Sequence, residues 1–242
     1  MLQEYGMKLF DKYQEDQNVF LFVCKGMDKL DLNNVGEILH NKEKEHYYSI
    51  ESVERKKSYL FGRYCVKRAM ILNGMTKKQR EVCIDYGEFN HPIVTHGNEK
   101  NIQVSLSHSN DVAVSLLFTQ KHILGIDIEK ITNESANIMS EILFDKERNF
   151  IQKENENIIL VSMWSAKEAL AKSLRIGFSA SLKIFEISEI YFKENKLNVH
   201  FTFFPHLKVE GIIINDYVLS IACLKQHELV NNNQKFSTIF IN

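Results

Sequence analysis

Two carboxylates stand two residues apart inside an apolar run, Leu124-Gly125-Ile126-Asp127-Ile128-Glu129. On a strand such a pair shares one face. Two anions on one face repel unless a cation or a proton lies between them. Hard oxygens on a rigid strand suit Mg²⁺, which takes few protein carboxylates and fills its shell with water and substrate phosphate. A strand with an exposed acidic face reads the same way when the hexapeptide is taken alone.

A second group lies in Trp164-Ser165-Ala166-Lys167-Glu168-Ala169-Leu170-Ala171-Lys172. Glu168 and Lys172 are four apart and share a helix face, an arrangement that in isolation is a surface ion pair worth a few tenths of a kcal/mol. Ser105-Leu106-Ser107-His108-Ser109 reads as a polar turn between apolar strands, with hydroxyl, imidazole and main-chain donors together. Residues 55 to 80 hold nine basic side chains and no acidic one (Arg55, Lys56, Lys57, Arg63, Lys67, Arg68, Lys77, Lys78, Arg80). The plain reading is a solvated helix face. Arg63 differs, because it follows Gly62 in the apolar setting Leu60-Phe61-Gly62-Arg63-Tyr64, where a fork donor pairs well with phosphate.

These groups sit in an ordinary globular chain of 242 residues, 44% apolar and 25% charged, with 30 Lys plus Arg against 31 Asp plus Glu. Near-neutrality gives no global field toward nucleic acid or an anionic membrane, so an anion must be handled locally. The four cysteines (Cys24, Cys65, Cys83, Cys223) form no C-x-x-C pair, and no basic segment followed by an apolar core opens the chain. Reduced thiols and a cytoplasmic location are the expectation, and no apolar run is long enough for a membrane span.

The elements that must position these groups repeat. The spacing predicts a helix over 51–73 stopped at Gly74, then strands over 82–86, 102–106 and 112–118. About 103 residues later the order recurs, with a helix over 158–174, Gly177 set against Gly74, and strands over 185–190, 197–204, 209–214 and 217–224. Duplication of an α+β unit would put a cleft between two related halves, 1–121 and 122–242, packed together directly because no linker of Gly, Ser and Pro separates them. Two self-contained halves make a monomer the default.

Each group is weak alone, and their order is more specific. A basic helix with Gly-Arg, a Ser-His-Ser, a Gly-Ile-Asp-Ile-Glu about twenty residues on, and a Trp-Ser-x-Lys-Glu-x-x-x-Lys about forty further together resemble the 4′-phosphopantetheinyl transferase superfamily, Sfp type. The resemblance covers residues 43–187. It implies two pseudo-twofold-related α+β halves, each a long helix packed on an antiparallel sheet, with the active site between them. It implies transfer of the phosphopantetheine arm of coenzyme A to a serine of an apo acyl or peptidyl carrier protein, releasing 3′,5′-ADP.

On that resemblance Asp127, Glu129 and Glu168 hold Mg²⁺ or Mn²⁺. Glu168, or a metal-held water beside it, serves the carrier serine as base, and Lys172 contacts the pyrophosphate and leaving group. Ser107 and His108 cradle the adenine nucleotide and β-phosphate, and Arg63, with help from Arg55, Lys56 or Lys57, meets the 3′-phosphate. His91 stands where many relatives carry a lysine, in Asn90-His91-Pro92, and Ser58 where many carry an arginine. Ile138, Met139, Ile142, Leu143 and Phe144 are candidates for apolar carrier contacts, or else belong to a core helix of the second half over 138–151. Two other readings stay open on the residues: a metal-dependent phosphoanhydride hydrolase, and a relative that binds carriers without catalysis.

Overall fold

The computed structural model describes residues 2–11, 19–96, 101–227 and 229–230. In chain order the first half contains β1 (Gln3–Asp11), β2 (Val19–Lys25), α1 (Val35–Ile38), α2 (Asn41–Ser49), α3 (Val53–Leu72), β3 (Cys83–Tyr86), β4 (Pro92–His96), β5 (Ile102–Ser109) and β6 (Val112–Thr119). The second continues with β7 (Gly125–Lys130), α4 (Asn133–Glu141), α5 (Glu156–Ser173), β8 (Ile187–Lys193), β9 (Lys196–Phe201), β10 (Leu207–Ile214), β11 (Tyr217–Leu224) and β12 (Leu229–Val230).

Two antiparallel sheets result. One runs β12-β1-β2-β6-β5-β4-β3 and the other β7-β11-β10-β9-β8. Setting aside β12 and β1, the orders are the same: a leading strand, a long helix, and four strands that return in the reverse of their chain order. The α+β architecture and the two-halves layout expected from the sequence are therefore present.

The layers follow from alternation along the strands. In β2, Val19, Leu21 and Val23 face a core shared with Ile126 and Ile128 of β7 and Leu219 of β11, so the two sheets pack face to face. The intervening Phe20, Phe22 and Cys24 point the other way, onto Leu60, Phe61, Cys65 and Ala69 of α3. The second sheet buries its outer face against α5 through Val161, Ala166 and Leu170. A strand covered on both faces reads as one continuous apolar run, which is why β2 carries no alternation signal in the sequence.

A polar device recurs in both halves. Glu43 accepts the main-chain N–H of Ile84 at 3.0 Å and of His40 at 2.8 Å, and pairs with the buried ammonium of Lys67. Glu147 accepts from Ile187 at 2.8 Å and Phe144 at 3.1 Å, and pairs with Lys167 at 2.7 Å. In each half a buried carboxylate ties the long helix to the first residues of the strand that follows it. Such a pair is held by hydrogen bonds on every side, as a buried charge requires.

Both long helices end in the same hydrogen-bonded cap. Gly74 donates to Ile71 O at 3.0 Å and Met75 to Met70 O at 2.9 Å; Arg175 donates to Lys172 O at 3.1 Å and Ile176 to Ala171 O at 3.3 Å. The residue opposite Gly74 is thus Arg175, with φ of 58°, and the sequence pairing of Gly74 with Gly177 is corrected by two residues. The Ser-His-Ser segment is also not a turn: it is the end of β5, and the hairpin turns at Asn110 and Asp111.

Candidate active site

β7 lies at the edge of the second sheet, paired on one side with β11. Its other edge meets β5 of the first sheet. Three serines alternate along β5 and therefore share a face. Ser105 Oγ accepts the Ile126 N–H at 3.0 Å, Ser107 Oγ donates to Asp127 Oδ1 at 2.8 Å, and Ser109 Oγ donates to Glu129 Oε2 at 3.2 Å while accepting the Lys130 N–H at 3.1 Å. Serine side chains thus satisfy edge-strand donors that a further strand would otherwise pair. The same contacts fix both carboxylates of the Asp-x-Glu strand at the junction of the halves.

α5 brings the remaining groups. A Cβ on Gly125 would collide with the carbonyl oxygen of Ala169 and the main-chain nitrogen of Ser173, so this glycine lets the helix backbone lie directly on β7. The close approach sets Lys172 Nζ 2.7 Å from Asp127 Oδ1, 2.8 Å from Ser107 Oγ and 3.6 Å from Glu168 Oε2. Lys167, between Trp164 and Glu168 in the sequence, points away and serves the Glu147 device instead.

Three carboxylates around one ammonium leave the site short of positive charge. Burial, then the neighbouring Asp127, push Glu129 up to about 8. Burial also raises Glu168, with Lys172 offsetting part of it. For Lys172 desolvation acts downward, yet the charges of Asp127 and Glu168 hold it above the ordinary lysine value. Desolvation, followed by Lys172, lowers His108. Asp127, only 1% exposed, has Oδ2 buried with no hydrogen-bond partner. An orphaned carboxylate oxygen beside two carboxyls held toward their neutral forms is the donor set a hard divalent cation suits. Among the described residues no three acidic, histidine or cysteine side chains are grouped closely enough to hold a metal ion as they stand.

A cleft of about 760 Å³ opens beside this centre, between α3 of one half and the end of α5 of the other. Of the residues singled out in the sequence, Arg55, Arg63, His91, His108, Glu168 and Lys172 line it. Ser107, Asp127 and Glu129 lie behind that wall, joined to it through Lys172 and the serine ladder. Lys56 is not on the wall: its ammonium sits 5.8 Å from the centre of the Tyr47 ring. His91 donates Nδ1–H to the Glu88 carbonyl at 2.6 Å, leaving Nε2 as its free ring nitrogen.

Of the nine basic residues in the stretch, only Arg63 and Lys67 are buried, and five pair with carboxylates of the chain. Lys67 and Arg63 face Glu43, Arg68 pairs with Glu4, Arg80 with Glu37, and Lys57 with Asp28. Arg63 is 4% exposed, its guanidinium carbon 4.6 Å from the centre of the Tyr59 ring and 5.1 Å from that of Tyr86, with Nη2 buried and lacking a hydrogen-bond acceptor. Of the apolar carrier-contact candidates, Ile138 is 55% exposed, whereas Met139, Ile142 and Leu143 pack in the second-half core.

Sequence reasoning missed Tyr59, Tyr86 and Arg175 on the cleft wall, and the contact of Ser109 with Glu129. The last had a signal, the matching two-residue periods of Ser-x-Ser-x-Ser and Asp-x-Glu. The aromatic pair around Arg63 had none, since its members come from separate elements.

Known proteins match this architecture where the centre lies. Residues 123–222 match the family model described as the 4′-phosphopantetheinyl transferase superfamily. The chain is 28% identical over 100 residues to a holo-[acyl-carrier-protein] synthase of Petrotoga mobilis (strain DSM 10674 / SJ95), a match covering 37% of this chain and 84% of that protein. It is 24% identical over 166 residues to the 4′-phosphopantetheinyl transferase gsp of Aneurinibacillus migulanus, covering 64% of this chain and 67% of that protein. A carboxylate–lysine centre between two like halves, with these relatives, defines an enzyme of the transferase class. The residues of that centre fall inside the stretch, 123–222, that is similar to the 4′-phosphopantetheinyl transferase superfamily.

Proposed function

We propose that the protein transfers the 4′-phosphopantetheine arm of coenzyme A to a serine of an apo acyl or peptidyl carrier protein, with release of 3′,5′-ADP. The observation that carries this reading is the centre at the cleft wall, where Lys172 bridges Ser107 and Asp127 while Asp127 Oδ2 stays orphaned. It is a site built for anionic phosphates plus a cation. Asp127, Glu129 and Glu168 are the residues that would hold Mg²⁺, which when bound neutralises charge on the pyrophosphate.

The chain's own groups divide the work. Lys172 is positioned to meet the leaving phosphate at the cleft wall, and the hydroxyl of Ser107 and the carboxylate of Asp127 fix its ammonium. Glu168, on the cleft wall and raised by burial, is the group to take the proton of the carrier serine. His108, Arg63, Arg55 and His91 line the volume assigned to the nucleotide. Phosphoryl transfer asks mainly for this positioning and charge balance. The match to a transferase over 166 residues, more than one half of the chain, favours the Sfp type, and residues 1–121 and 122–242 are taken as its two halves.

Intact-protein mass spectrometry of an apo carrier incubated with the enzyme, coenzyme A and Mg²⁺ is the test. A gain of the phosphopantetheine mass on serine is expected, lost with a chelator and reduced at least about hundredfold in Glu168→Ala. Unmodified carrier with free phosphopantetheine in solution would instead identify a hydrolase.

A further inference from the structure

We infer that Arg175 binds a phosphate of the donor nucleotide from the cap of α5, an inference that rests on coenzyme A being the donor. Both long helices close with the same pair of capping hydrogen bonds, and each needs a residue in the left-handed region at one position. The first half fills it with Gly74, whose φ of 75° costs nothing without a side chain. The second fills it with Arg175 at φ of 58°, a conformation an arginine adopts at a cost.

What the side chain gains there is the cleft. Arg175 lines it, whereas Gly74 does not. Among the described residues no carboxylate forms an ion pair with the Arg175 guanidinium, while the nearest cation on the same helix, Lys172, is already committed to Asp127 and Ser107. Phe89 and Asn90 of the first half, with φ of 59° and 62°, also line the cleft. A planar guanidinium on the wall of an anion-accepting cleft, with no carboxylate of the described chain claiming it, is a phosphate ligand by geometry.

A purely structural role makes a different forecast. At a helix C-terminus a cation also interacts favourably with the helix dipole, and on that account replacing Arg175 changes stability but not binding. The experiment is calorimetric titration of 3′,5′-ADP, coenzyme A and 3′-dephospho-coenzyme A into wild type, Arg175→Gly and Arg175→Lys, with thermal melts of each. Arg175→Gly should melt no lower than wild type and bind 3′,5′-ADP roughly tenfold to a hundredfold more weakly, with Arg175→Lys in between. A loss shared by coenzyme A and its dephospho form places Arg175 on the pyrophosphate. A loss confined to coenzyme A places it on the 3′-phosphate. Wild-type affinity in Arg175→Gly overturns the inference and leaves the transferase reading standing. Failure of wild type to bind any of the three overturns both.

Discussion

Glu129 illustrates how one residue reports the state of the whole centre. Burial and the charge of Asp127 raise it to about 8, against an ordinary glutamate value of 4.5. In metal-free protein the folded state therefore holds a proton that the unfolded state has released, and stability falls as pH rises from about 4.5 toward 8. Glu129→Gln removes that slope. Melting curves in chelator are expected to show the variant more stable than wild type at pH 8, by on the order of 1–2 kcal/mol after allowing for solvent relaxation. Equal slopes for the two proteins would show that the carboxyl is not held protonated. Glu4 has the opposite sign: burial acts upward, but Arg68 and Tyr64 prevail and lower it. Its pairing supports the fold above about 4.5 and is lost as pH falls through the lowered value.

Between elements, the contact that decides the site is α5 on β7. Gly125 admits no side chain there, so Gly125→Ala must push the helix off the strand and carry Lys172 and Glu168 away from Asp127. A destabilisation of about 2–3 kcal/mol, with a larger proportional loss of activity than of folded protein, is the expected result. Normal turnover by the folded fraction would refute the link between that packing and the site. The paired devices of Glu43 with Lys67 and Glu147 with Lys167 make a second element-scale prediction. Glu147→Ala leaves Lys167 buried and uncompensated, at a cost of about 3–5 kcal/mol in denaturant titrations. The limits of the two long helices were legible to within a few residues, because apolar spacing and caps are local, whereas the helix read over 138–151 runs instead over Asn133–Glu141. The cap at Arg175 was not legible, since a glycine two residues on offered the more usual stop.

At the scale of the molecule the halves share one core, in which Leu21 and Val114 of the first sheet meet Ile126 and Leu219 of the second. Tyr217 of β11 also donates to Asp111 of the first half at 3.0 Å. Neither sheet can expose that face to water without presenting a large apolar surface, so unfolding should be a single cooperative event. Trp164, the sole tryptophan, reports the second half by fluorescence, and far-ultraviolet circular dichroism reports both. Their melting curves are expected to coincide, and midpoints several degrees apart would show halves that unfold independently.

The sequence by itself determined the repeated order of helix and strands, the Asp-x-Glu face, the Glu168–Lys172 helix face and their spacing, because those patterns depend on periods of two and of about four residues along one element. Tertiary structure alone decided the rest. Nine basic residues in one stretch looked like an anion surface, yet five of them meet carboxylates brought from other segments. Lys167 and Lys172, five residues apart on one helix, face a buried structural glutamate and the cleft-side aspartate respectively. Charge acts through space at a few ångströms, and which charges come that close is fixed by how separate elements pack, not by their order along the chain.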